Sequence, residues 1–369
     1  IGKRRRILDA YDIAGTNGGR TLESGFKRDQ IGNDNIKWET TTQTNLGVDF
    51  SFFNATLYGS VDWYYKKTRD ILVQMAGIAA MGEGSTQWIN AGEMENRGVE
   101  LNLGYRNTTA FGLKYDLAAN LSTYRNKITK LPETVAANGT FGGNGVKSVI
   151  GHPMGAQVGY VADGIFKSQA EVDNHAQQQG AAPGRIRYRD LDGDNKITEA
   201  DQTWIYSPVP KFSYGLNVYL EYKGLDLTMF WQGVQGVDII SDLKKETDLW
   251  AGLNIGFLNK GRRLLGAWSA SNPSSDIPAL SLSDNANEKR VSSYWVENGS
   301  FLKMRTIQLG YNLPQGMVKK LMMERLRLYV SAQNLLTIKS SSFTGVDPEN
   351  PNFGYPIPLN LTFGLNVTF

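Results

Sequence analysis

The last eleven residues alternate without a break: Leu359, Leu361, Phe363, Leu365, Val367 and Phe369 are apolar, while Asn360, Thr362, Gly364, Asn366 and Thr368 between them are not. Successive side chains of a strand point to opposite faces, so this period of two predicts a strand with one apolar and one wet face. The pattern recurs upstream. Val61, Trp63 and Tyr65 alternate with Asp62 and Lys66, and Val99, Leu101, Leu103 and Tyr105 alternate with Glu100, Asn102 and Arg106. Further alternating segments lie at 46–52, 113–121, 212–222, 225–231 and 326–332, one more ends at Tyr311, and a weaker one covers 3–13. About ten strands are expected.

The joints between these strands are of two kinds. Those near 53–55, 107–111 and 223–224 are short and the one at 314–325 carries a brief helix, whereas 14–39, 73–95, 126–211, 234–300 and 339–358 read as long loops. Loops of that length are uncommon inside compact soluble domains. Outer-membrane barrels combine short turns at one rim with long loops at the other, and each of their strands needs only about 9–11 residues to span. Short and long joints alternate here, which places every short joint at the same end as Phe369. Phe52, Tyr105, Tyr222 and Tyr311 fall at that end too, in the apolar phase, where an aromatic girdle belongs. The expected fold class is therefore all-β, an antiparallel transmembrane β-barrel portion with short periplasmic turns and long extracellular loops. Helix-like stretches at 169–179 and 242–249 predict that these loops fold into an ordered cap.

Composition narrows the chemistry. There is no cysteine, which removes disulfides, thiolate metal sites and cysteine nucleophiles, and the only histidines are His152 and His175, which argues against a zinc site or a catalytic triad. The 39 Lys and Arg nearly balance 36 Asp and Glu, and no nucleic-acid partner is expected. No run of 18 apolar residues exists, a criterion that detects membrane helices and misses membrane strands. Ile1 is not an initiator and no signal-like run follows it, so the chain is expected to be mature or partial.

The sharpest local motif is DLDGDNKITEAD, from Asp190 to Asp201. It places oxygen ligands at the spacing of a calcium-binding EF-hand loop: Asp190, Asp192 and Asp194 at positions one, three and five, the Lys196 carbonyl at seven, Thr198 at nine and Asp201 at twelve. Asn195 stands where glycine is usual, tolerable because Asn enters the left-handed region, and Asp201 replaces the longer glutamate. One structural Ca²⁺ is expected; the bland alternative is a solvated acidic turn. Other groupings read as structural. Gly142–Gly145 lacks the Gly-Lys-Ser/Thr ending of a phosphate loop, Arg4, Arg5 and Arg6 read as a solvated strand end, and Glu93 with Glu95 reads as a loop end rather than a catalytic pair. Trp88, Trp204, Trp231, Trp250 and Trp268 include loop aromatics suited to packing, or to stacking on sugar or peptide. No acid, base and nucleophile grouping is recognisable, and no enzymatic activity is expected.

A collinear series of segments resembles the SusC/RagA-type TonB-dependent outer-membrane transporters of Bacteroidetes. It comprises NDNIKWETTTQTNLGVDF at 33–50, SVDWYYKKTRDIL at 60–72, MENRGVELNL at 94–103, GYVADGIF at 159–166, RYRDLDGDNKITEADQT at 187–203, NGSFLKMRTIQLGYNLP at 298–314 and RLYVSAQNLLT at 327–337. The resemblance implies that residues 1–369 are the C-terminal part of a plug-filled barrel of about 22 strands, without the plug domain, with the region 126–211 as a long extracellular loop that holds the acidic motif. It further implies import of oligosaccharides or oligopeptides, energy coupling through the TonB complex, a SusD-like surface lipoprotein as lid, and lipid around the strands. Asp62, Lys66, Asn102, Arg106, Asn217 and Gln232 would then face a hydrated lumen. The alternative of another class is a soluble or surface-attached β-sandwich that binds glycans through its loop tryptophans.

Overall fold

The computed structural model describes residues 5–9, 24–28, 32–75, 87–132, 150–248, 261–281, 288–351 and 354–369. Gly142–Gly145, Arg4 and Trp250 lie outside the described residues. By its contacts the chain divides into two units, residues 1–43, 66–96 and 126–154 in one and residues 44–65, 97–125 and 155–369 in the other.

In chain order the strands are β1 (Arg5–Asp9), β2 (Ser24–Arg28), β3 (Thr40–Phe52), β4 (Leu57–Met75), β5 (Gln87–Thr108), β6 (Lys114–Lys130), β7 (Gln157–Tyr160), β8 (Ala162–Ile165), β9 (Ile186–Tyr188), β10 (Gln202–Tyr206), β11 (Phe212–Tyr222), β12 (Leu225–Gln235), β13 (Asp238–Ile240), β14 (Val296–Asn298), β15 (Phe301–Asn312), β16 (Arg325–Lys339) and β17 (Asn360–Thr368). Nine of them form one sheet in the order β17-β16-β15-β12-β11-β6-β5-β4-β3. The weak segment near the N-terminus does form a strand, but β1 pairs with β2 in a separate two-stranded ladder. From β6 to β17 every ladder of the large sheet is antiparallel.

Register gathers the apolar phase of each strand onto one face. Leu117, Val218, Met229, Ile307, Ala332 and Leu361 are successive cross-strand partners through six strands, and Tyr115, Leu220, Leu227, Leu309, Val330 and Phe363 form the adjacent row on that face. The row between them, Asp116, Tyr219, Thr228, Gln308, Ser331 and Thr362, lies on the opposite face. A soluble protein would cover the apolar rows, because each buried Leu or Phe contributes about 1.5–3 kcal/mol. Here they are bare. Phe363 is 80% exposed and Leu361 61%, and the only other sheets among the described residues are two-stranded. A β-sandwich therefore does not describe this chain, and the face has the character of a surface meant for lipid.

The short joints lie where the alternation put them. Lys223 and Gly224, both at positive φ (48° and 86°), turn β11 into β12, as the twist of a two-residue hairpin requires. Tyr105 and Tyr115, with ring centroids 5.8 Å apart, and Phe111 and Tyr222, 6.0 Å apart, gather aromatics at this end. At the other end the strands outrun their alternation: β5 begins at Gln87, inside the expected loop 73–95, and β6 continues to Lys130, inside 126–211. Tyrosines lie across glycines of a neighbouring strand: Tyr58 on Gly104, Tyr64 on Gly98, Tyr214 on Gly233 and Tyr329 on Gly364, each where a Cβ would collide with the ring.

Buried packing is concentrated in the long connections of the second unit. Val158, Ile165, Phe166, Ile186, Tyr188 and Trp295 are all at most 2% exposed. Arg185 pairs with the buried Glu288 at 3.2 Å, and the Gln178 amide satisfies the backbone of β9 by donating to Ile186 O and accepting from Tyr188 N. The connections thus form an ordered layer with its own core.

Candidate functional site

Within this layer the acidic motif folds into a tight loop. Each aspartate accepts backbone N–H groups ahead of it: Asp190 from Gly193 and Asn195, Asp192 from Asp194, and Asp194 from Lys196. Asn195 sits at φ 63°, the left-handed geometry that position six of such a loop demands. The result is convergence, with carboxylate oxygens of Asp190, Asp192 and Asp194 all within 4.8 Å of one another. Residue Ile197, at position eight, donates its N–H to Gln177 O at 3.0 Å, and Asn195 O accepts from Gln177 N at 2.8 Å, so the loop is clamped to the chain preceding Gln178.

The twelfth position also makes backbone contacts of its own. Asp201 is fully buried, and its two oxygens accept from Leu191 N and Thr198 N, both at 2.7 Å. Burial pushes its carboxyl up, but the N–H groups of Thr198, Leu191 and Asp192, with Asp190, outweigh that and hold it below the usual range. The Thr198 hydroxyl accepts from Ala200 N in a capping box with Asp201. Asp201 therefore ties Leu191 and Thr198 together through their backbone N–H groups, beside Asp190, while the carboxylates of Asp190, Asp192 and Asp194 converge. Three carboxylates this close repel unless a cation joins them.

The second constellation lies on the polar sheet face. Asn102 donates to Ser60 Oγ at 3.2 Å and Arg106 to Ala55 O at 3.0 Å, its guanidinium over the Tyr58 ring. Tyr58 in turn donates to Asp116. Lys114 pairs with Glu221, and Arg327 with Asp226. Gln232 accepts from Arg305 at 2.8 Å, and its cross-strand partner Lys303, only 1% exposed, meets Asp347 at 2.6 Å and Glu349 at 2.5 Å. Nothing in the sequence pointed to Lys303, Arg305, Asp347 and Glu349 as a group, because ion pairs between residues 44 apart leave no local pattern.

The remaining sequence candidates are structural. Glu93 is ion-paired with Lys67 at 2.8 Å, with no second carboxylate joined to it in the described contacts. The His175 ring packs edge-on against Phe166, and burial pushes the His152 imidazole down. Trp204 belongs to β10, Trp231 lies on the apolar face opposite Leu216, and Trp268 packs over Gly184, which leaves Trp88 as a half-exposed aromatic.

Comparison with known proteins agrees with this architecture. Residues 9–335 match the model of the family "TonB dependent receptor-like, beta-barrel". The chain is 33% identical to TonB-dependent receptor P3 of Formosa agariphila, over 94% of this chain and 36% of that protein, and 28% identical to TonB-dependent receptor SusC of Bacteroides thetaiotaomicron, over 91% and 32%. Its structure superposes on a chain of the RagAB peptide transporter with a TM-score of 0.76 at 25% identity, covering all of this chain and 38% of the other. It spans about a third of the length of these relatives. Uncovered apolar rows, a charged opposite face and one-ended short turns are what a family of outer-membrane barrels requires, and the chain belongs to the TonB-dependent receptor-like β-barrel family, in its SusC/RagA-type group.

Proposed function

We propose that this chain is the barrel wall and outer cap of an importer that takes oligosaccharides or oligopeptides across the outer membrane. The long connections lie outside the cell, a SusD-like lipoprotein closes over them, and the TonB complex supplies energy through parts of the protein beyond this chain. The observation that carries the reading is the register, which puts six-strand apolar rows on one face and charged, hydrogen-bonded rows on the other. The relatives support transport, and the RagAB likeness favours peptide among the candidate solutes. Lysine scanning tests the reading. Val218→Lys and Leu101→Lys are expected to destabilise the membrane-inserted protein by about 2–4 kcal/mol each, while Asn217→Lys and Asn102→Lys are tolerated. Equal tolerance on both faces removes the barrel wall and the transport function with it.

The acidic loop is proposed to hold one Ca²⁺ through Asp190, Asp192 and Asp194 and the Lys196 carbonyl, with Thr198 and Asp201 shaping the site. The ion would neutralise the converging carboxylates and order the extracellular connection between β6 and β11.

A further inference from the structure

The connection between β16 and β17, residues 340–359, is tied to the sheet by charge. Asp347 places both oxygens on the Lys303 ammonium, at 2.6 and 2.7 Å, and Glu349 bridges Lys303 and Arg305. The two cations belong to β15 and the two anions to a loop. Against β12 a β-bulge at Arg305, between the partners of Phe230 and Trp231, adds a residue to β15 close to Lys303, whereas on the other side two residues of β16, Asn334 and Leu335, stand opposite Arg305. Gln232 accepts from Arg305 Nε, so the guanidinium is oriented by a neighbouring strand independently of the loop.

We propose that Lys303 and Arg305 form a carboxylate-binding site on the channel wall, filled at rest by the chain's own Asp347 and Glu349 and taken over by an acidic group of the solute. The inference rests on the transport reading, since only then does the polar face meet solute. Its logic is exchange. An ammonium as buried as Lys303 cannot be left alone, because removing one partner of a buried ion pair is strongly unfavourable. A neutral solute therefore cannot lift the loop, whereas a carboxylate can replace what it displaces. Access exists on one side: Arg305 and Glu349 keep 22% and 29% of their side-chain surface exposed, against 1% for Lys303. A planar guanidinium held by Gln232 is suited to receive a carboxylate with two parallel bonds.

The test uses the full-length receptor in detergent, with glutarate as the probe and sodium chloride at equal ionic strength as the control. Hydrogen exchange of residues 340–351 is followed by mass spectrometry. Glutarate is expected to raise exchange there several-fold and saturably, and chloride is not. Glu349→Gln, which removes an internal competitor, is expected to lower the half-saturating glutarate concentration several-fold. Arg305→Gln is expected to abolish the response, and Arg305→Lys, which keeps the charge, to retain part of it, which separates loss of the site from loss of folding. Equal effects of glutarate and chloride, or an unchanged midpoint in Glu349→Gln, overturn the proposal. Neither result touches the transport reading, which stands or falls on the lysine scan.

Discussion

Arg327 reaches from β16 across the intervening β15 to Asp226 on β12, with its Nε 2.9 Å from Oδ2 and its second nitrogen on Oδ1. The path exists because Gly310, the cross-strand partner of Asp226, has no side chain; a Cβ there would fall among the guanidinium and carboxylate atoms. Both charged side chains are nearly covered, at 12% and 6% exposure. Breaking such a pair costs about 3–5 kcal/mol. Gly310→Ala is expected to destabilise the protein by an amount in that range, read as an earlier heat-induced loss of the compact form in detergent, and Asp226→Asn to do the same without adding bulk. Wild-type stability in both would show that the pair contributes nothing.

The tether of the last loop is expected to fail in acid. Burial pushes the Glu349 carboxyl up, but the bonds from Arg305 and Lys303 outweigh it and hold it below the usual range. A carboxylate whose folded pKa lies below the unfolded value, about 4.3 for Glu, adds stability that is complete above that value and is lost as pH falls through the folded one. The loop should stay docked at neutral pH and release only below pH about 4. The chain has no cysteine, so a fluorophore on Val346→Cys, a position 74% exposed, marks this loop alone within it. Its emission should change with a midpoint in acid, and Glu349→Gln should remove that transition.

Calcium should protect the connection between β6 and β11. An ion that binds only the folded loop stabilises it by RT ln(1 + [Ca²⁺]/Kd), about 2.7 kcal/mol at a hundredfold excess over Kd. Chelation is expected to raise protease sensitivity between residues 126 and 211. Asp192→Ala with Asp194→Ala should make cleavage fast whether or not chelator is present. Wild-type cleavage that ignores chelator would leave a solvated acidic turn.

Asp201 should matter even without metal, since it closes the loop through backbone N–H groups. Hydrogen bonds to a charged acceptor contribute about 1.5–3 kcal/mol each. Asp201→Ala is therefore expected to increase cleavage at the loop in the presence of chelator, where Asp192→Ala adds nothing. The two substitutions giving identical profiles in chelator would place Asp201 with the ligands instead.

The hairpin β11–β12 was readable almost to the residue, because strict alternation runs up to a two-residue turn whose conformation Lys223 and Gly224 can adopt. β15 was readable only in its second half. The bulge at Arg305 moves the apolar phase from Ile307 and Leu309 to Met304 and Leu302, and a period-two template breaks there although the strand does not. The far ends of β5 and β6 were hidden for another reason: their apolar residues, such as Ile89, Met94 and Ile128, do not recur in strict alternation. The spacing of Asp190, Asp192 and Asp194 announced their convergence, whereas the role of Asp201 as a backbone clamp depends on its burial. The Lys303 cluster depends wholly on which loop returns to which strand.

The tyrosines laid over glycines bear on how the strands find their partners. A slip of one residue would swap the two faces of a strand, and the alternation alone forbids it. A slip of two keeps every face correct and escapes that control. It would, however, carry the Tyr58 ring from Gly104 onto Asn102 or Arg106, that of Tyr64 from Gly98 onto Asn96 or Glu100, and that of Tyr329 from Gly364 onto Thr362 or Asn366. Each glycine is a notch that admits one ring at one offset. Hydrophobic phase thus excludes the odd misalignments and ring-in-notch fit the even ones, so assembly of this sheet is proofread twice by its own side chains.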